Sequence, residues 1–352
     1  MESNDLSSTC PIKGKIYGQE KFVWYSNGVY ILNCLDLFEY DIYLTVINLV
    51  DNINNEIIFE KKYLLSDVNT FKLLLDLDVE LSVFDNKALK WASFYGYYSV
   101  AKFIIQNITN YKGITEALCY ACQNGHVNIV KLLMENSDDI NVIDALELAC
   151  EYGHFEIVII LVQYGANIHY YNDQALRTAC ATGHHLIVKF LLDCGANVHA
   201  NDNDALHLSS ELGHTEIVKL LIQYGSTPHS KNNKALHLAS QYGHIEIVKI
   251  LLEYGSDVRA GNNKALRSAC SKGHTEIVKL LLRYGANISA INNEALMEAC
   301  KWNRLETVKI LLENGADVHA NNCQALKIAS TYGHTDMKKL LMTYAINLEM
   351  ES

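Results

Sequence analysis

The sequence predicts an all-α solenoid, a stack of about ten copies of one helix-turn-helix unit, headed by a short irregular N-terminal segment with some β content. Three observations predict it. The dipeptide Ala-Leu recurs at Ala88, Ala117, Ala145, Ala175, Ala205, Ala235, Ala265, Ala295 and Ala325, at spacings of 29 and 28 and then six times 30 residues. A glycine follows in almost every copy, at Gly96, Gly125, Gly153, Gly183, Gly213, Gly243, Gly273 and Gly333. Beyond that glycine each copy carries a second apolar run, such as "HIEIVKILLEYG" ending at Gly255. A unit this small cannot bury two helices against itself, so each must be covered by the next, and self-similarity at a fixed period implies a stacked array.

Within one copy, "ALHLAS" sets small and apolar side chains on one helical face, and the glycine supplies a left-handed stop. In the eighth repeat Asn303 takes that place, Asn being the other residue that visits this conformation readily. In the second run Ile247, Val248, Ile250, Leu251 and Leu252 are spaced for a helix with a broad apolar face. A short extended piece, "SDVRAG", leads to the next copy.

The ends depart from the period. Residues 1–58 do not follow it; "KFVWYSNGVYIL" reads as two short strands about a Ser-Asn-Gly turn, in a segment that serves as a cap or a docking module. Residues 59–87 read as a degenerate repeat, with Leu81 standing where Val258 does, and residues 88–352 as nine full repeats. In the last of these Lys338 takes the place of Val248 or Val278, as expected of a C-terminal cap.

Composition narrows the function. A formal charge of -11 argues against a nucleic-acid partner, which needs a clustered Lys/Arg face. No apolar run is long enough to span a membrane, and "MESNDLSSTCPIKGK" lacks the basic and apolar regions of a signal peptide, so a cytoplasmic location is expected, the host cytoplasm if the protein is viral. Cys122, Cys150, Cys180, Cys270 and Cys300 share a column with Ser93, Ser210, Ser240 and Ser330, which marks a need for a small side chain and not for disulfides.

Cys119 and Cys122 form a lone C-x-x-C whose positions hold His207 and Ser210 elsewhere, so we read them as repeat residues without metal. The column of His169, His199, His229 and His319 repeats too far apart to share an ion. The histidines after the glycine, His126, His154, His184, His214, His244, His274 and His334, read as structural groups bonding backbone at turns. No nucleotide-binding, metalloprotease or serine-hydrolase motif occurs, so no enzyme activity and no cofactor are expected. Tyr164, Tyr224, Tyr254, Tyr284 and Tyr344 recur before the second glycine and are expected to form a half-buried ladder.

The repeat resembles the ankyrin repeat: "ALHLAS" stands for T-P-L-H-x-A, "GHIEIVKILL" is nearly unchanged, and "YGSDVRA" stands for G-A-x-V-N-A. The resemblance covers residues 88 to about 348. The family unit is usually 33 residues; the three missing here fall where the family builds its hairpin fingers, so short fingers are expected. The Thr of Thr-Pro is replaced by Lys234, Lys264, Glu294 or Gln324, and the N-cap is expected one residue earlier, at Asn86, Thr115, Asp173, Asn203, Asn233, Asn263 and Asn293, worth ~1 kcal/mol each. Ile143 and Cys323 break that column. The 30-residue, Asn- and Tyr-rich form is similar to ankyrin proteins encoded by large DNA viruses of amoebae.

The resemblance implies a protein-binding scaffold whose concave groove is lined by the two residues before the Gly-His turn. That pair varies inside a constant frame and is rich in aromatic residues, which dominate interface hot spots. Phe94, Tyr95, Tyr152, Tyr242, Trp302 and Tyr332 are the expected partner-binding residues. Two other roles fit the same sequence: an adaptor docking a ubiquitin ligase through residues 1–58, and a structural component of a virus particle.

Overall fold

The structure, a computed structural model, describes the backbone of residues 12–16, 19–26, 29–32, 46–48, 85–107, 113–137 and 140–351, and side chains within the stretch 89–346 of these. The expected degenerate repeat at 59–87 lies outside the described residues except for its last three, and so does most of 1–58. Four short strands are described there: β1 (Ile12–Ile16), β2 (Gln19–Ser26), β3 (Val29–Leu32) and β4 (Val46–Asn48), in an antiparallel sheet of order β1-β2-β3-β4. The β2–β3 pair closes at Ser26 opposite Val29, in the segment where a hairpin is expected.

All other described elements are helices, and the chain divides after Ala166 into two units. The first unit holds three helix pairs: α1 (Asp85–Tyr95) with α2 (Tyr98–Asn107), α3 (Ile114–Gln123) with α4 (Val127–Glu135), and α5 (Ile143–Glu151) with α6 (Phe155–Gln163). The second holds six: α7 (Tyr170–Thr182) and α8 (His185–Asp193), α9 (Ala200–Leu212) and α10 (Thr215–Gln223), α11 (Ser230–Tyr242) and α12 (Ile245–Glu253), α13 (Ala260–Lys272) and α14 (Thr275–Arg283), α15 (Ala290–Lys301) and α16 (Leu305–Glu313), α17 (Ala320–Thr331) and α18 (Thr335–Glu351). Within each unit first helices pack on first helices of the next repeat and second helices on second helices.

Residue size explains this packing. First helices meet through alanines such as Ala235, Ala239, Ala265 and Ala269, all buried, and the larger aliphatics of the second helices, Ile247, Val248 and Leu251 among them, fill the space behind. Cys122, Cys150, Cys180, Cys270, Cys300, Ser93, Ser210 and Ser240 are all fully buried, and the three serine hydroxyls have no hydrogen-bond partner. Their column is therefore defined by volume: a thiol fills it as a small hydrophobe, whereas a serine leaves an uncompensated hydroxyl. In the last repeat Ser330 and Lys338 are exposed, where Val248 and Val278 are buried.

Each first helix of the second unit is entered through an unusual backbone. Residues 171–173, 201–203, 231–233, 261–263, 291–293 and 321–323 all have positive φ, forming a single left-handed turn before the helix proper. This tight turn stands where longer fingers would project. It also explains the asparagine-rich composition, because Asn and Gly tolerate the left-handed region that other residues enter at a cost.

The turn corrects the N-cap assignment. Asp173, Asn203, Asn233, Asn263 and Asn293 are buried, and each Oδ1 accepts a backbone N–H from the next loop of the stack: from Asn197 at 2.8 Å, Thr227 at 3.0 Å, Asp257 at 2.8 Å, Asn287 at 2.6 Å and Asp317 at 3.0 Å. The side chain holds the neighbouring loop. In the first unit, α3 starts after Gly113 with no side-chain cap and Thr115 lies inside the helix, so the assignment fails there too. The receiving loop is tied by its own Asx-turns, Asn197 Oδ1 accepting the N–H of His199 at 3.0 Å and Asp257 Oδ1 that of Arg259 at 2.9 Å. His169 and His199 donate from Nδ1 to Asp173 and Asn203, orienting the buried oxygen.

A second bond runs in the opposite direction within each unit, from a turn histidine to the repeat before it. The Nε2 of His126, His154, His214, His244, His274 and His334 reaches a carbonyl of the preceding repeat, of Phe94, Gln123, Ala181, Glu211, Gln241 and Lys301 respectively, at 2.9–3.2 Å. A carbonyl only accepts, so Nε2 carries the proton. The ring lies so close to the preceding turn that a Cβ on Gly213 would stand 2.6 Å from His244. Gly213, at φ 83°, is thus required twice, by its own backbone and by the next repeat's imidazole. In the eighth repeat Arg304 stands where the histidine belongs, and its Nε bonds Ser271 O at 3.1 Å.

Candidate partner-binding face

The glycine stop sets the geometry of the candidate site. Gly243, at φ 88°, ends α11 with its N–H on Ala239 O, and His244 N–H returns to the same carbonyl. The two residues before it therefore sit on the last helical turn, pointing away from the buried alanine face. Phe94, Tyr152, Tyr242, Trp302 and Tyr332 are all exposed, from 39% for Phe94 to 55% for Tyr332, and Tyr95 is half-buried.

Their surroundings differ between the units. In the first, Phe94 and Tyr95 meet edge to face at 4.9 Å and join Trp91, Tyr97 and Tyr120 in an aromatic cluster. Tyr152 accepts a bond from Gln123 Nε2 at 3.0 Å. In the second, Tyr242 bonds Glu211 of the preceding repeat, which raises the phenol's pKa. The Nε1 of Trp302 bonds Glu298 at 3.2 Å while Lys301 lies over its ring, and Tyr332 stacks on His334. Tyr152 and Tyr242 thus lean back on the preceding repeat, so their rings are held in place while one face stays open to solvent.

The tyrosines before the second glycine are more exposed than a half-buried ladder requires: Tyr254 is 56% exposed, and Tyr164, Tyr224 and Tyr284 are also exposed. Tyr224 is tied to Asp193 of the preceding repeat, which raises its pKa.

One set of residues escaped the sequence reading. At three junctions the position two residues after an Ala-Leu alanine faces the position just before the next alanine. Lys90 pairs there with Glu116 at 3.2 Å, Arg177 with Asp204 at 3.3 Å and Arg267 with Glu294 at 2.6 Å. The signal was present as charge alternation between two columns, but it shows only once stacked neighbours are compared.

Burial holds these thiols protonated, pushing the buried Cys180 and Cys300 up to about 12 and the half-buried Cys119 to about 11, the last helped by Asp144 and Glu116. Among the described residues no group of His, Cys, Asp or Glu is placed to hold a metal, and no helix is long and apolar enough to cross a membrane.

The class is thus a helix-turn-helix repeat array with an open, aromatic first-helix face. A family model for ankyrin repeats in three copies matches residues 118–202, 146–232, 176–262, 224–292 and 266–352, more than half of the chain. The chain belongs to the ankyrin-repeat family. Among solved structures, the crystal structure of the human ASB11 ankyrin repeat domain is similar, at 24% identity and a TM-score of 0.52 over 56% of this chain and 96% of that one. No curated protein matches.

Proposed function

We propose that the chain is a non-catalytic scaffold that binds a protein partner through the first-helix face of its repeats. The observation that carries this reading is that exposed aromatic side chains are held in place within each unit, Tyr152 by Gln123 in the first and Tyr242 by Glu211 and Trp302 by Glu298 in the second. Rings fixed before binding lose little conformational freedom on contact, which favours them as anchors. A buried anchor of this kind is worth ~2 kcal/mol or more.

The partner is to be identified by proximity labelling in the native cell, then titrated against Tyr242→Ala and Trp302→Ala after unchanged melting is confirmed. A loss of about 30-fold in either variant is expected, ~2 kcal/mol by the affinity relation. Wild-type affinity in both would move the site to the tyrosines before the second glycine or to residues 1–58.

A further inference from the structure

In the second unit two adjacent junctions place a cation where the junctions on either side of them place a carboxylate. A cation two residues after the Ala-Leu alanine meets a carboxylate before the next one at Arg177–Asp204 and at Arg267–Glu294. Between these two, the carboxylate position holds Lys234 and then Lys264, and the facing side chains are His207 and His237. Each lysine therefore stands beside an imidazole. Burial and these cations together hold both histidines neutral, with pKa values lowered to about 4.

No described carboxylate compensates the two lysines. Asp204 is engaged by Arg177 at 3.3 Å, Asp202 by Lys231 at 3.2 Å, and Glu294 by Arg267. Lys234 is partly exposed and Lys264 exposed, so both ammonium groups reach solvent from the face that carries Tyr242. In a chain of net charge -11, two consecutive repeats thus hold positive charge with no ion-pair partner, between two junctions that are each neutralised by an ion pair.

We infer that the first-helix face around Lys234 and Lys264 docks an extended acidic segment of a protein partner, each lysine receiving one carboxylate. This rests on the binding face proposed above and adds the chemistry of its ligand. Helices of successive repeats lie about 8–10 Å apart, and an extended chain rises about 3.3 Å per residue, so the two carboxylates stand about three residues apart. A polypeptide fits better than a nucleic acid: the chain's overall negative charge opposes a polyanion, whereas two local carboxylates answer two local lysines.

The test pans the full-length protein against phage-displayed random peptides about twelve residues long, enough to cross about four repeats. Enrichment of peptides with Asp or Glu at a spacing of about three is expected. Synthetic versions should bind with affinity that falls as salt rises, weaken about two- to fivefold with each of Lys234→Gln and Lys264→Gln, and recover with Lys234→Arg. Melting of each variant is checked first; both sites are solvent-accessible, so an unchanged fold is expected. Peptides without acidic enrichment that are lost with Tyr242→Ala would overturn the inference while leaving the binding face in place. Acidic peptides lost with the lysine variants but indifferent to Tyr242→Ala and Trp302→Ala would support it and sink the aromatic anchors. Recovery of no peptide, or equal competition by a single-stranded oligonucleotide, would overturn it.

Discussion

Asn233 tests the role assigned to the buried amide column. Its Oδ1 accepts the Asp257 N–H at 2.8 Å, and its backbone sits at φ 57°. Three substitutions separate these two features. Asn233→Gly keeps the left-handed backbone but strands the Asp257 N–H, at a cost of ~1–3 kcal/mol for a buried unpaired group. The greater freedom of glycine in the unfolded chain adds up to about 1 kcal/mol. Asn233→Ala loses the same acceptor and also forces a Cβ into the left-handed region, a further ~1–2 kcal/mol. Asn233→Asp keeps the acceptor and should stay within about 1 kcal/mol of wild type, since Asp173 already fills this position in the fourth repeat. The expected order of stability is therefore Asn with Asp, then Gly, then Ala. Urea denaturation reads the global loss, and hydrogen exchange of the segment around Asp257 reads the local one. Because contacts join only adjacent repeats, exchange should quicken first near that junction. A glycine variant as stable as wild type, with Asp257 still protected, would refute the assignment.

Ile291 places a β-branched residue at φ 49°, where three of the other repeats hold Asn201, Gly261 and Asn321 and two hold the unbranched Tyr171 and Lys231, so Ile291→Asn should stabilise by ~1 kcal/mol and raise the thermal midpoint. Thr307 fills the buried site of Ile247 with a hydroxyl that has no partner; Thr307→Val should gain ~1–2 kcal/mol in urea denaturation, whereas Thr307→Ser, which keeps the hydroxyl, should gain nothing. His207 and His237 have folded pKa values of about 4, below the unfolded value of 6.5, so the unfolded chain binds more protons between those limits. Stability should fall as pH drops from 6.5 to 4 and level off below, and the double change of both to Gln should flatten the profile.

The fold was legible because periodicity survives noise: nine copies of Ala-Leu and a glycine stop fix helix, turn and helix without any single residue deciding the matter. The turn histidines were also legible as structural groups, although their partners lie in the preceding repeat. The buried asparagines were misplaced for a physical reason. Asn before a helix fits an N-cap and a left-handed turn equally well in one dimension, and the difference lies in where the Oδ1 points. The eighth repeat lacks the Gly-His pair, yet Arg304 restores the carbonyl bond and Asn303 the positive φ, which leaves Thr307 as the residual defect. The candidate face was legible as a variable column; the cations and carboxylates that face each other across its junctions were not, because they are about 27 residues apart and become neighbours only on stacking.

The two kinds of bond between repeats give the array a grammar. From the fifth repeat to the seventh each imidazole reaches back to the same carbonyl position, so the array can be shortened between like units. Excising residues 230–259 would bring His274 onto Glu211 and leave the amide of Asn287 on Asn263 unaltered, while the bond from Thr227 to Asn203 lies wholly before the cut and stays as it is. The chain can thus lose or gain whole repeats in evolution without rewriting its neighbours. It cannot be read in reverse, because an imidazole needs a glycine behind it and the asparagine needs a loop ahead.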